Sequence, residues 1–269
     1  MLTSKAADKL EKFFSRFTKH ANPLLLLDYD GTLAPFRVDR FKARPWAGVR
    51  ELLQRIQQQG RTRMAVVTGR PAGEIAPMLG LEKAIETWGL HGAERLNPNG
   101  RRELEAASAP TQALLDELRE KLRHDNLGGL VEDKANGVVM HWRGASAQKA
   151  KSIEKKTRAL FEPLAQMDGL GILDFEAGLE LRAGRDKGGA VEAILAELGA
   201  VGPEACPVAF LGDDITDEAA FRAVNALGSC GLSVLVRQQP RETAAHVWLR
   251  PPEELKGFLV RWLKAGSSD

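Results

Sequence analysis

The sequence has few of the features that would take it out of the ordinary globular class. Only two of its 269 residues are cysteine, Cys206 and Cys230. Two cysteines without a short spacing make neither a disulfide framework nor a zinc site, and read as reduced thiols. Neither His124 nor His141 stands at ligand spacing from them. No apolar run approaches the ~20 residues of a membrane-spanning helix, and Leu24–Leu27 is far too short. Charge of one sign is lacking too: 38 Lys and Arg against 36 Asp and Glu leave +2, which points to neither nucleic acid nor membrane. The basic run Lys149, Lys151, Lys155, Lys156 and Arg158 has no interleaved aromatics and has Ile153 and Leu160 opposite, the pattern of a solvated helix face. Low-complexity segments and internal repeats are absent. Residues 1–23 lack the unbroken apolar stretch and small-residue cleavage site of a signal peptide. Leu10, Phe13, Phe14 and Phe17 recur there at helical spacing and predict an amphipathic helix lying on the core. With 43% hydrophobic and 28% charged residues, the expectation is a soluble, cytoplasmic protein. No heptad or apolar stripe stands out, so the default is a monomer.

What is present is an alternation of strand and helix signals. Leu24–Leu27, after Pro23 and ending at Asp28, reads as a buried parallel strand. Val49, Leu52, Leu53 and Ile56 recur at helical spacing between Pro45 and Gly60, a start and a stop for a helix. Met64–Val67 is a second buried strand, a helix follows from Pro71 to about Leu79, and Ile85–Leu90 is a third apolar stretch. The last third repeats the pattern. A helix over Val191, Ile194, Leu195 and Leu198 closes at Gly199, and a strand at Val208–Leu211 follows. A helix through Phe221 and Val224, a strand at Ser233–Val236 and a helix over Leu255–Lys264 complete it.

The middle differs. Ala109–Leu122 predicts a helix, and Leu130–Trp142 a hairpin turning at Asn136-Gly137. A charged helix, roughly Gln148–Phe161, precedes a second hairpin joining Gly171–Phe175 to Leu179–Arg182 through Ala177-Gly178. The fold class is therefore α/β, a parallel sheet covered on both faces, with an inserted α+β unit of two hairpins and two helices. Residues 1–100 and 184–269 are expected to form the core and 101–183 the insert, with hinges near Asn97–Arg101 and Ala183–Arg185, where Gly100 and Gly184 suit bends.

Three of the predicted parallel strands end in polar residues at the edge where ligands bind in open α/β sheets. They give Asp28-Tyr29-Asp30-Gly31-Thr32, Thr68-Gly69-Arg70 and Gly212-Asp213-Asp214-Ile215-Thr216-Asp217-Glu218, while Arg185-Asp186-Lys187-Gly188-Gly189 opens a helix. An Asp at a strand end is usually a cap or turn former, but four such clusters at compatible positions share one chemistry. Mg2+ takes a few carboxylates plus waters and a phosphate oxygen, which Asp28 and Asp213 would supply, with Asp214 a further candidate. A carboxylate at a strand tip, Asp28, suits attack on phosphorus. Phosphoryl transfer needs positioning and charge neutralisation, here from Lys187, the Thr68 hydroxyl and backbone N–H groups near Gly31. Asp30 is placed to protonate the leaving oxygen and then deprotonate the attacking water.

Together these four clusters, in order across Leu24–Asp217, resemble the haloacid dehalogenase superfamily of phosphatases. The resemblance implies a Rossmann-like core, an Asp28 nucleophile and an Asp30 acid/base. It also implies Thr68 and Lys187 on the phosphate, Mg2+ on Asp28, the Asp30 carbonyl and Asp213, and an insert acting as a cap over the substrate.

Glu132 with Lys134, and Glu180 with Arg182, are i and i+2 pairs, each on one face of a hairpin. They read either as solvated faces or as donors and acceptors for sugar hydroxyls. Val131-Glu132-Asp133-Lys134, His141-Trp142-Arg143, Gly89-Leu90-His91-Gly92-Ala93-Glu94 and Glu180-Leu181-Arg182 resemble the trehalose-6-phosphate phosphatases from about Leu24 to Arg250. Trp142 stands where that family would have Tyr. The resemblance implies Mg2+-dependent hydrolysis of trehalose 6-phosphate in trehalose biosynthesis, with Glu132, Lys134 and Glu180 on sugar hydroxyls and Arg70 on substrate. Other capped sugar phosphatases, acting on sucrose 6-phosphate or mannosyl-3-phosphoglycerate, stay open, as does a non-catalytic sugar-phosphate-binding module. The intact Asp28, Asp30, Lys187 and Asp213 speak against the last. Trp46, Trp88, Trp248 and Trp262 read as packing residues.

Overall fold

The computed structural model describes residues 4–17, 22–37, 39–124, 128–134, 136–167, 170–175, 177–197 and 207–267. Cys206 and the helix stop at Gly199 lie outside the described residues; Cys230 is a free, buried thiol. In chain order come α1 (Ser4–Phe14), β1 (Leu24–Leu27), α2 (Val49–Gln59), β2 (Arg63–Val67), α3 (Ile75–Leu79), β3 (Glu86–Gly89), β4 (Glu94–Leu96) and β5 (Arg102–Leu104). Next are α4 (Ala109–His124), β6 (Val131–Lys134), β7 (Gly137–His141), α5 (Ala147–Leu164), β8 (Leu170–Phe175) and β9 (Gly178–Ala183). The chain closes with α6 (Lys187–Glu197), β10 (Val208–Gly212), α7 (Glu218–Asn225), β11 (Gly231–Val236), β12 (Val247–Leu249) and α8 (Glu253–Gly266). No described helix is long and apolar enough to cross a membrane. The chain divides into one unit of residues 1–104 and 186–269 and a second of residues 105–185.

The first unit holds a sheet in the order β12-β11-β10-β1-β2-β3-β4-β5. It is parallel from β12 to β3 and antiparallel through β4 and β5. Both faces are covered, which is why β1 reads as four consecutive leucines rather than an alternation. Leu25 and Leu27 pack with α1, α2, α3 and α8, and Leu24 and Leu26 with α6 and α7. Winding proceeds one way from β1 to β3 and the other way from β10 to β12. The reversal falls between β1 and β10, and the crevice beyond their C-terminal ends is where such sheets bind ligands.

The amphipathic α1 docks through Phe13 and Phe14 onto α8, where Phe13, Phe14, Phe17, Phe258 and Trp262 form one aromatic cluster. Two expectations shift. The segment Asn97–Arg101 is no crossing between units but the turn of the β4–β5 hairpin, closed by Asn97 N–H to Arg101 O at 2.8 Å. Because β5 pairs in the large sheet, the first boundary falls after Leu104 instead of residue 100.

The second unit is a four-stranded antiparallel sheet, β6-β7-β9-β8. Val138, Met140, Leu179 and Leu181 pack from it against Leu115, Leu118 and Leu122 of α4 and Ile153 and Phe161 of α5. Both hairpins turn one residue earlier than Asn136-Gly137 and Ala177-Gly178 suggest. Gly137 already pairs with Lys134 and Gly178 with Phe175. The unit's first and last residues touch: Arg185 N–H donates to Glu105 Oε2 at 3.0 Å, and the two side chains form an ion pair at 3.5 Å.

Candidate active site

The catalytic candidates of the first unit gather at the switch point. β1 runs into Asp28, whose N–H extends the ladder to Leu211 O at 2.8 Å. The chain then turns, with the Leu33 and Ala34 N–H groups both on Tyr29 O and Gly31 N–H on Ala34 O at 2.7 Å. Gly31 has φ +82°, and a Cβ there would fall 2.0 Å from Asp213 Oδ2. Glycine is needed for the backbone angle and for the carboxylate's approach. The Gly31 amide, expected to bind phosphate, is thus engaged in the turn, and the residue contributes room for Asp213. Thr32 Oγ1 donates to Asp28 Oδ2 at 3.2 Å.

Lys187 arrives from the helix that opens after the insert. Asp186 caps α6 by accepting the Gly189 N–H at 2.8 Å, and the next residue sends its side chain inward. Lys187 Nζ donates to Asp28 Oδ1 at 2.6 Å and to Asp217 Oδ1 at 2.7 Å. The sequence pattern assigned Asp217 no role, yet it is fully buried and organises the site. Its Oδ2 accepts the N–H groups of Asp213 and Asp214, each at 2.9 Å. The signal was its place four residues after Asp213, where a 3-10 turn over Ile215–Asp217 folds it back. Asp214 is exposed and takes part through its backbone.

Burial pushes the Asp28 carboxyl up to about 7, against the opposing charge of Lys187. Burial, then the charges of Asp28 and Asp217, pushes Asp213 up to about 9. Burial alone would lower Lys187, but Asp217 and Asp28 outweigh it and hold the ammonium above its ordinary range. Oxygens of Asp28, Asp213 and Asp217 lie within 4.8 Å of one another, the one such group of metal-ligating side chains among the described residues. Three buried carboxylates thus face one ammonium, an excess of negative charge held by oxygen donors alone, which fits a hard divalent cation such as Mg2+. Both oxygens of Asp217 accept hydrogen bonds, from Lys187 and from two backbone amides, and both of Asp28 accept from Lys187 and Thr32.

The Asp30 carboxylate is outside that group. Arg70 grips it through Nε and Nη2, both at 2.6 Å, in a bidentate fork. Arg70 N–H also donates to Thr68 Oγ1 at 3.2 Å, which orients the hydroxyl. The string Gly89–Glu94 braces this loop. Leu90 N–H donates to Arg70 O at 2.9 Å and His91 N–H to Thr68 O at 2.8 Å, while the buried Glu94 accepts the Ala72 N–H at 2.8 Å. A Cβ on Gly89 would fall 2.4 Å from Ala72 N, so close backbone approach requires glycine. The sequence coupled neither Arg70 to Asp30 nor Glu94 to the loop.

In the second unit, register places Glu132 and Glu180 on either side of Val139, and Lys134 and Arg182 on either side of Gly137. All four therefore share the face opposite the core residues Val138, Met140, Leu179 and Leu181. Lys134 Nζ donates to Glu180 Oε2 at 2.7 Å, and His141 Nε2 meets Glu132 Oε2 at 2.8 Å.

Comparison with known proteins adds to this geometry. The family described as trehalose-phosphatase matches residues 26–253 of the chain. The trehalose-phosphate phosphatase of Mycobacterium marinum is 33% identical over 250 residues, covering 89% of this chain and 61% of that protein. The chain spans about three fifths of the length of such curated relatives. Among solved structures, a trehalose-6-phosphate phosphatase from Aspergillus fumigatus matches with TM-score 0.74 at 24% identity, over 99% of this chain and 100% of that one. A haloacid dehalogenase-like hydrolase from B. subtilis matches with TM-score 0.63 at 15% identity, over 88% and 98%. Both share the fold, an α/β core carrying a second sheet.

Proposed function

Because the chain belongs to the trehalose-phosphatase family, we propose that it hydrolyses trehalose 6-phosphate to trehalose and inorganic phosphate, with Asp28 as nucleophile. The observation that carries the reading is the buried Asp28–Lys187–Asp217 chain at the switch point, with Asp213 beside it. A structural ion pair would need one carboxylate for Lys187; here there are two, and a third at metal-ligating distance.

In this reading an Asp28 oxygen attacks phosphorus and the bond from phosphorus to the sugar oxygen breaks. Asp30 gives its proton to that oxygen, then takes one from the water that hydrolyses the aspartyl phosphate. Lys187 orients Asp28 and offsets phosphate charge, and Thr68 donates to the phosphate. Mg2+, held by Asp28 and Asp213, would neutralise charge developing on the transferring group. Arg70 grips Asp30 before substrate enters; its transfer to substrate frees Asp30 for proton transfer. Glu132, Lys134 and Glu180, already paired among themselves and with His141, supply donors and acceptors for sugar hydroxyls.

The test is phosphate release with Mg2+ on a panel of sugar phosphates, with Asp28→Asn as the blank. The expected result is a strong preference for trehalose 6-phosphate and none with Asp28→Asn. Equal rates on simple hexose phosphates, or preference for sucrose 6-phosphate or mannosyl-3-phosphoglycerate, would remove the substrate and leave the chemistry. No release from any substrate by folded, metal-loaded protein would remove the chemistry.

A further inference from the structure

Asp217 holds the Asp213 amide and Gly31 leaves room for its carboxylate, but neither holds the other side of the Asp213 peptide. β10 ends at Gly212, so the Asp213 carbonyl has left the ladder and needs a partner, while that of Asp214 accepts the Asp217 N–H at 3.0 Å. The loop between β11 and β12 reaches both. Arg237 Nη1 donates to Asp213 O at 3.2 Å. Arg241 forks across the two residues, with Nε 3.4 Å from Asp213 O and Nη2 2.6 Å from Asp214 O.

Arg241 is itself fixed. Its Nη1 lies 2.6 Å from Glu218 Oε1 and donates to Glu242 O at 2.7 Å. Glu218, the first residue of α7, also accepts the Thr243 hydroxyl at 2.7 Å and the Ala244 N–H at 2.8 Å. One carboxylate therefore binds the loop to the helix, and the guanidinium between them grips the strand end. An anchor for the loop alone would be complete with Glu218, Thr243 and Ala244. The remaining Arg241 donors point at the peptide backbone on either side of the Asp213–Asp214 bond, Nη2 closely at Asp214 O and Nε at Asp213 O, so the guanidinium fixes the strand end from which the Asp213 carboxylate projects.

We propose that Arg241, braced by Glu218, is a positioning residue for Asp213 that sets the affinity of the site for its divalent cation. This rests on the reading of Asp28 and Asp213 as the metal-holding pair. Groups that orient a metal ligand are typically worth about 10- to 100-fold in affinity. The guanidinium spans two carbonyls that a lysine ammonium, a single compact point charge, does not span.

The test is calorimetric titration of the full chain with Mg2+ alone, without substrate, for the wild type, Arg241→Met, Arg241→Lys and Glu218→Gln. The expected result is a Kd raised about 10-fold or more in Arg241→Met, less in Arg241→Lys and intermediate in Glu218→Gln. Each variant's metal-free Tm separates this from a merely structural role. A lowered Tm with a wild-type Kd would overturn the inference and leave the proposed function standing. Failure of the wild type to bind Mg2+ would overturn both. If Arg241→Met does not fold, Arg241→Lys and Glu218→Gln carry the same comparison.

Discussion

Gly31 and Asp217 do most to shape the acidic cluster, one by absence of a side chain and the other by saturating its own. Gly31→Ala would place a methyl where the Asp213 carboxylate stands, at a φ that L-residues avoid. The expected outcome is a loss of about a hundredfold in kcat/KM, the scale of a 1 Å misplacement, with the fold retained by circular dichroism. Asp217→Ala would leave the buried Lys187 with one partner. Breaking a buried pair in this way costs about 3–5 kcal/mol, which urea denaturation would read. Asp28, Lys187 and Asp213 were legible because strand-end carboxylates and a helix-opening Lys suffice to suggest the site. The bond from Asp217 to Lys187 was not, because it depends on a turn that folds a residue back four positions. The fork between Arg70 and Asp30 was hidden for a different reason: it exists only because β1 and β2 are neighbours.

At the scale of elements, α1 and α8 are joined by a cluster of rings and, beside it, by the ion pair of Arg261 Nη2 with Glu11 Oε2 at 2.7 Å. Trp262, fully buried against Phe13, Phe17 and Phe258, is the centre of that contact. Trp262→Ala is expected to destabilise by about 3–5 kcal/mol, measured as a shift in the denaturant midpoint. Gly184 has φ +100°, which the proline ring, fixed near −65°, does not reach. Gly184→Pro should therefore distort the return from the second unit and slow turnover, and an unchanged kcat would count against a constrained link there. The strands that position the site, β1, β2 and β10, declare themselves as continuous apolar runs. Strands β4, β5 and β12, three residues each, are too short to show a period. The Asn97–Arg101 turn reads as a hinge for the same reason, since its Gly100 looks identical in either setting.

For the molecule as a whole, the cluster ties stability to pH and metal together. Asp28 and Asp213 have folded-state pKa values near 7 and 9, above the ordinary carboxylate value near 4. The folded chain therefore keeps protons that the unfolded chain has released. The contribution of these groups falls as pH rises from about 4 through about 7 and then about 9. Metal-free protein should lose Tm over that range, Asp213→Asn should flatten the slope, and Mg2+, which favours the ionised carboxylates, should restore stability at the alkaline end. A Tm in chelator that rises from about pH 5 to pH 8 in the wild type relative to Asp213→Asn would contradict the electrostatic account. The joined ends of the second unit carry a different consequence. With Glu105 and Arg185 hydrogen-bonded to each other, residues 105–185 leave the host chain and rejoin it at nearly one point. A segment with such ends, and with its own core, is a cassette: its length and composition can change without displacing the strands that carry Asp28 and Asp213.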